Sequence, residues 1–326
     1  MNDINTNTNA NINTNTNTTD IKRKEKEDAK YSYNYAEWRE AGALSYKAIN
    51  YAKTLIKPGA KILDVANAVE AYVLENGQRP AFPINLSINE AAAHYTPGAS
   101  DTAVFTEKDL IKIDFGSKKG TGAGDCALTI DLSGKYAKLV EASEKALQEA
   151  ISMVKAGRRV DEIGKAIEAV AKSYGFSPIR NLGGHGITET DLHAYMFIPN
   201  YDNGDATELE EGQVVAIEPF MTTGEGYVVE GTTIEILAKT ADTNPRSQAA
   251  RRAQTFINDN YGTYPFAIRW LTKELGEFEA RRAIAELSAL GVIEAYPVLI
   301  ERSKGMVAQS EASLIVTTDS CEIITK

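Results

Sequence analysis

Residues 47–73 read KAINYAKTLIKPGAKILDVANAVEAYV, and residues 145–171 read KALQEAISMVKAGRRVDEIGKAIEAVA. The two stretches align at a spacing of about 98 residues, with Gly59 over Gly157, Ala68 over Ala166 and Glu70 over Glu168. Apolar residues recur at helical spacing on both sides of the glycine, so each copy predicts a helix, a turn and a second amphipathic helix. Each copy then runs into strand-like sequence that soon reaches a histidine, His94 after the first and His185 after the second. This repetition predicts an α/β fold of two duplicated halves about a pseudo-twofold axis. Helices would cover a curved sheet, with a site between the halves.

A second stretch, IKIDFGSKKGTGAGDCALTID at residues 111–131, indicates what such a site must handle. Asp114 and Asp125 sit in apolar, strand-like runs, and a buried carboxylate without a partner is strongly disfavoured. The glycines and lysines of SKKGTGAG suit a hairpin connection, which brings the two runs side by side. At about 4 Å and an effective dielectric of about 20, like charges repel by roughly 4 kcal/mol. A shared proton, a nearby Arg or Lys, or a metal cation would relieve the conflict.

Bulk properties exclude several classes. A formal net charge of -10 argues against a phosphate-binding surface, so no nucleic acid is expected as a partner. Cys126 and Cys321 stand far apart, in none of the paired spacings of zinc or redox motifs, which suits a cytoplasmic protein. Neither a bilayer-spanning apolar run nor a secretory signal is legible, so no membrane association is expected.

The opening Asn/Thr tract and the charged run after it read as a disordered tail over residues 1–28, leaving 29–326 as the folded domain. Residues 245–300 have another texture: three helical patterns with little strand character, expected as a helical insertion or small subdomain, with mixed charge that disfavours DNA binding.

Two further acids, Glu218 in VVAIEPF and Glu311 in VAQSEASLIV, also occupy apolar strand-like runs, and His185 lies in NLGGHGI. Four carboxylates and one imidazole balance two divalent cations. Such an oxygen-rich set suits Mn, Fe, Co or Zn. Two metals about 3.5 to 4 Å apart can hold a hydroxide and polarise a carbonyl, which fits amide hydrolysis. Taken singly, each of these residues also fits an ordinary structural role.

The ordered motifs FPINLSINEAAAHYTP, DLIKIDFG, GDCALT, PIRNLGGHGI, LHAYMFIPN, EEGQVVAIEPF and VAQSEAS resemble those of the methionine aminopeptidases, from about residue 35 to the end. The segment between Glu218 and Glu311, with YGTYPFAIRWL and GVIEAYPVL, resembles the insertion that marks the type 2 subfamily, particularly its archaeal members. The resemblance implies a pita-bread fold with a winged-helix-like insertion at 245–300, and a dinuclear centre whose bound hydroxide removes the initiator Met from nascent chains. It implies that Asp114 chelates one ion, that His185 and Glu218 bind the other, and that Asp125 and Glu311 bridge them. Glu218 would also transfer a proton, His94 and His193 would contact the scissile peptide, and Phe82, Leu192 and Tyr296 would line the methionine pocket. All three histidines of the chain fall on such positions. A monomer, with ribosome association as a further possibility, is the expected assembly.

The chain departs from the family pattern at Ser310 and Ala312 beside Glu311, at Tyr195 after His193, and at Thr188 after HGI. Two other readings follow: a non-catalytic relative acting as a ribosome- or protein-binding module, and an Xaa-Pro peptidase of the same superfamily.

Overall fold

The computed structural model describes residues 31–326, so the tail expected at 1–28 lies outside the described residues. Within the body Asn34–Lys326, the repeated stretches form helices α1 (Tyr35–Leu55) and α2 (Ile62–Glu75), then α3 (Ala137–Met153) and α4 (Val160–Tyr174). Gly59 and Gly157 occupy the turns with φ of 85° and 75°, a region that favours glycine. The repeat extends into the backbone bonding. Gly59 N donates to Phe105 O and Gly157 N to Leu209 O, both at 2.8 Å, while Ile62 N reaches Ala103 O and Val160 N reaches Thr207 O.

Each helix pair covers a sheet. The first half has β1 (Asn85–Ile88), β2 (Leu110–Phe115) and β3 (Cys126–Asp131), in that spatial order and antiparallel. The second has β4 (Gly183–Ile187), β5 (Ala194–Pro199), β6 (Val214–Ile217), and then β7 (Ala312–Val316) and β8 (Cys321–Ile323) near the end of the chain. Their order is β5-β4-β6-β7-β8. The inner faces are continuous apolar runs because helices cover them. Leu44, Ile49, Val65 and Val69 pack on Leu86, Ile111 and Ile113 in one half, and Leu139, Ala146, Ile163 and Ile167 pack on Val215, Ile217 and Leu314 in the other. The halves meet at a bridge between Ala127 and Glu311, where the Glu311 amide donates to the Ala127 carbonyl at 3.0 Å.

As expected, 111–131 forms a hairpin, with Asp114 opposite Ala127 and Phe115 opposite Cys126. Its connection does more than turn: 117–119 pairs with 122–123 on one side and with Arg79 and Pro80 on the other.

In the 245–300 segment, helices α5 (Gln248–Asn260), α6 (Ile268–Leu275) and α7 (Glu277–Ala289) enclose their own core around Ala253, Ile257, Leu271 and Leu287. One part of the helical reading needs correction. Residues 293–301 form a strand that pairs antiparallel with 228–239, because VIEAYPVLI offers a β-rich run with an adjacent edge to bond.

Candidate active site

The two hairpin aspartates, the two later glutamates and all three histidines converge on one cavity of about 370 Å³, which Phe82, Leu192 and Tyr296 also line. Asp114 comes from β2 and Asp125 from the residue before β3; His185 comes from β4, Glu218 from the residue after β6 and Glu311 from the residue before β7. The strands close around His185 tightly enough to explain its glycine neighbours. At Gly186 a Cβ would lie 2.5 Å from Cζ of Tyr195, and at Gly184 it would lie 2.3 Å from the Ala216 carbonyl oxygen.

Asp125, His185 and Glu311 are buried and offer donor atoms that all lie within 4.8 Å of one another. His185 Nδ1 is 3.2 Å from the Gly186 carbonyl, which can only accept, so the proton sits on Nδ1 and Nε2 turns a lone pair to the site. That lone pair faces Asp125 Oδ2 at 3.7 Å and Glu218 Oε1 at 3.9 Å. A proton or a cation between them would relieve the opposition of these acceptors. Buried oxygens of Asp114, Asp125 and Glu311 have no hydrogen-bond partner, although such groups are normally satisfied.

Among the described residues the cavity lining contains no Lys or Arg. The nearest cation along the strand, Lys112, turns its ammonium to the Asn89 carbonyl at 2.7 Å. Burial pushes Asp114 up to about 7. Burial, followed by mutual repulsion, holds Asp125, Glu218 and Glu311 well above the usual carboxylate range. Of the three remedies the sequence left open, a basic side chain is thereby removed, and the donor set of carboxylates with one imidazole fits a divalent cation.

His94 stands across the cavity with φ of 65°. Its Nδ1 is 3.3 Å from the Pro297 carbonyl and its ring lies edge-on to Tyr296 at 5.5 Å. Burial lowers it to about 4, so it is neutral at pH 7, with the proton on Nδ1 and Nε2 free to accept. His193 stacks edge-on against His185 at 4.5 Å and lies tilted to Tyr296 at 6.1 Å.

The sequence reading missed Gln309. Its amide donates to Asp114 Oδ2 and to Glu218 Oε2, both at 3.2 Å, tying acids from the two halves together. Strand alternation was the available signal, since Gln309 lies two residues before Glu311 and shares its face. None of the four departures lines the cavity. Ser310 Oγ meets Ser143 Oγ at 2.9 Å, Ala312 pairs with Ile217, Tyr195 donates to the Val214 carbonyl at 3.1 Å, and Thr188 holds the 188–191 turn.

Comparison with known proteins agrees with this geometry. Residues 36–251 match the model of metallopeptidase family M24. The methionine aminopeptidase of Thermococcus onnurineus is 43% identical over 88% of this chain and 97% of its own, and that of Archaeoglobus fulgidus is 45% identical over the same shares. A solved thermophilic Arx1 shares the fold with a TM-score of 0.78 at 18% identity, covering 89% of this chain and 90% of that one. Fold and site together define an M24 metallopeptidase, a class whose members bind divalent metal. Within it, the chain belongs to the methionine aminopeptidases, of the archaeal type.

Proposed function

We propose that this cavity hydrolyses the first peptide bond of polypeptides that begin with Met, releasing the initiator methionine from nascent chains. The observation that carries the reading is the set of mutually facing acceptors, Asp125, His185, Glu218 and Glu311, in a cavity that contains no basic side chain among the described residues.

Asp114, Asp125, His185, Glu218 and Glu311 would hold two divalent ions, Mn, Fe, Co or Zn. Their four carboxylates balance that charge, with Asp125 and Glu311 central to the set. Such ions supply an activated water and a polarised carbonyl. The surrounding residues do the rest. Glu218, 3.9 Å from His185 and steadied by Gln309, takes and returns a proton. His94 Nε2 accepts from the scissile amide, and His193 faces the carbonyl. Phe82, Leu192 and Tyr296 enclose the thioether side chain, which suits an apolar wall. The 245–300 segment, with its separate core, is read as a winged-helix-like subdomain that contributes Tyr296.

The test is methionine release from Met-Ala-Ser by chelator-stripped protein titrated with Mn, Co, Fe or Zn. Activity returning at about two equivalents, the number suggested by the ligand set, supports the dinuclear reading. Tight metal binding without methionine release would refute the peptidase assignment. Among the described residues no helix is long and apolar enough to cross a membrane, and a cytoplasmic, monomeric enzyme acting near the ribosome is the setting proposed.

A further inference from the structure

The connection SKKGTGAG, read from the sequence as a hairpin turn, also lines a second cavity of about 450 Å³ through Lys118, Lys119 and Gly120. Its walls combine Arg79 and Pro80, Lys118 and Lys119, Glu189 and Thr190, and the stretch 258–264 at the end of α5. Three of these segments run directly into the walls of the catalytic cavity: Pro80 leads to Phe82, Thr190 to Leu192, and Tyr264 to Pro265. Three segments of backbone therefore contribute to both cavities. A space of about 370 Å³ holds only the first residues of a polypeptide, so the rest needs a further surface, and the second cavity is built on the same segments.

The second cavity has its own chemistry. Lys118 Nζ donates to the Glu189 carbonyl at 2.8 Å and stands 4.0 Å from the centre of the Tyr264 ring. An ammonium has three donors, so some remain for a ligand. Burial lowers Lys118 to about 8, which leaves it charged at neutral pH. Arg79 spends one nitrogen on the carbonyls of Asp259 and Asn260, at 3.0 and 3.3 Å, and keeps further donors. With Lys119, three cations line the cavity with two acids, Glu189 and Asp259, and a third acid, Glu37, stands beside the lysines with its carboxylate accepting from the Thr121 amide and hydroxyl. With Glu37 already engaged by Thr121, the remaining donors of Lys118 and Arg79 suit carboxylate side chains on an extended peptide.

We propose that this cavity binds the polypeptide downstream of its second residue and favours substrates carrying Asp or Glu there. The proposal rests on the aminopeptidase reading. It is tested with metal-loaded full-length protein, using Met-Ala-Ser and two octapeptides, Met-Ala-Ser-Gly-Glu-Glu-Gly-Gly and its Lys-Lys counterpart. In the wild type kcat/KM is expected to favour the acidic octapeptide by about fivefold, the effect of one or two solvent-exposed ion pairs, mainly through KM. High salt should shrink that ratio.

In Lys118→Met/Lys119→Glu the ratio is expected to reach one or invert. Arg79→Gln, on a different segment, should lower it in the same direction and guards against a folding artefact of the double variant. Methionine release from Met-Ala-Ser with no octapeptide preference, or with the same preference in wild type and variants, overturns the groove and leaves the aminopeptidase assignment standing. No release from Met-Ala-Ser by the wild type overturns both.

Discussion

Replacing Gln309 by Met keeps the length of the side chain and removes its amide, which isolates one interaction: the bonds to Asp114 Oδ2 and Glu218 Oε2, each 3.2 Å. Hydrogen bonds to charged groups contribute about 1.5–3 kcal/mol, but 3.2 Å is at the long end of the normal range, so about 1 kcal/mol each is appropriate. Two such bonds give about 2 kcal/mol, or roughly 30-fold in an equilibrium constant. That falls within the 10–100-fold typical of outer partners of metal ligands. Gln309 also has a buried carbonyl oxygen without a partner, so its loss should be nearly neutral for folding. The backbone of Gln309 bonds to Thr129 Oγ1 independently of the side chain. The expectation is a metal Kd weakened about 30-fold, measured by competition with a chelating dye, and a midpoint of urea unfolding of the metal-free protein close to wild type. An unchanged Kd would refute the role assigned to Gln309. A large loss of stability with unchanged Kd would make it a packing residue.

Other expectations follow from the same geometry. Asp125→Asn or His185→Ala should abolish methionine release while circular dichroism shows the fold retained; full turnover by either would remove the metal centre from the mechanism. His94→Ala should lower kcat about a hundredfold, the lower end for proton and hydrogen-bond contributions of this kind, without changing metal stoichiometry measured by emission spectroscopy. Glu70 is buried against Arg269 and accepts from Trp270 Nε1 at 2.8 Å, while Arg269 also donates to Thr96 Oγ1 and the Pro97 carbonyl. Glu70→Gln should therefore destabilise by about 3 kcal/mol, because Arg269 is left buried without its counterion; Glu70→Gln/Arg269→Met should recover part of the loss in urea titrations.

The duplicated helices, the hairpin at 111–131 and the identities of the clustered acids and histidines were legible in the sequence, since each is a local matter. Periodicity fixes a helix face, glycine marks a turn, and a carboxylate in an apolar run demands compensation wherever it lies. Resemblance then supplied roles for those residues. The strand at 293–301 went unseen at the end of a stretch, 245–300, read as three helical patterns with little strand character, because a short run with mixed periodicity does not reveal which edge will bond to it. Gln309 went unnoticed because a neutral amide two residues from a glutamate carries no electrostatic cost to announce itself. The lysines of SKKGTGAG looked like solvated turn residues until the fold set them beside Arg79 and Tyr264. Only the tertiary structure brought Asp114, Asp125, His185, Glu218 and Glu311 to one point, because they come from two halves whose strands meet at Ala127 and Glu311. Local sequence dictates conformation and the need for a partner, whereas which partner answers depends on contacts between residues far apart in the chain, and those are set by the packing of the whole core.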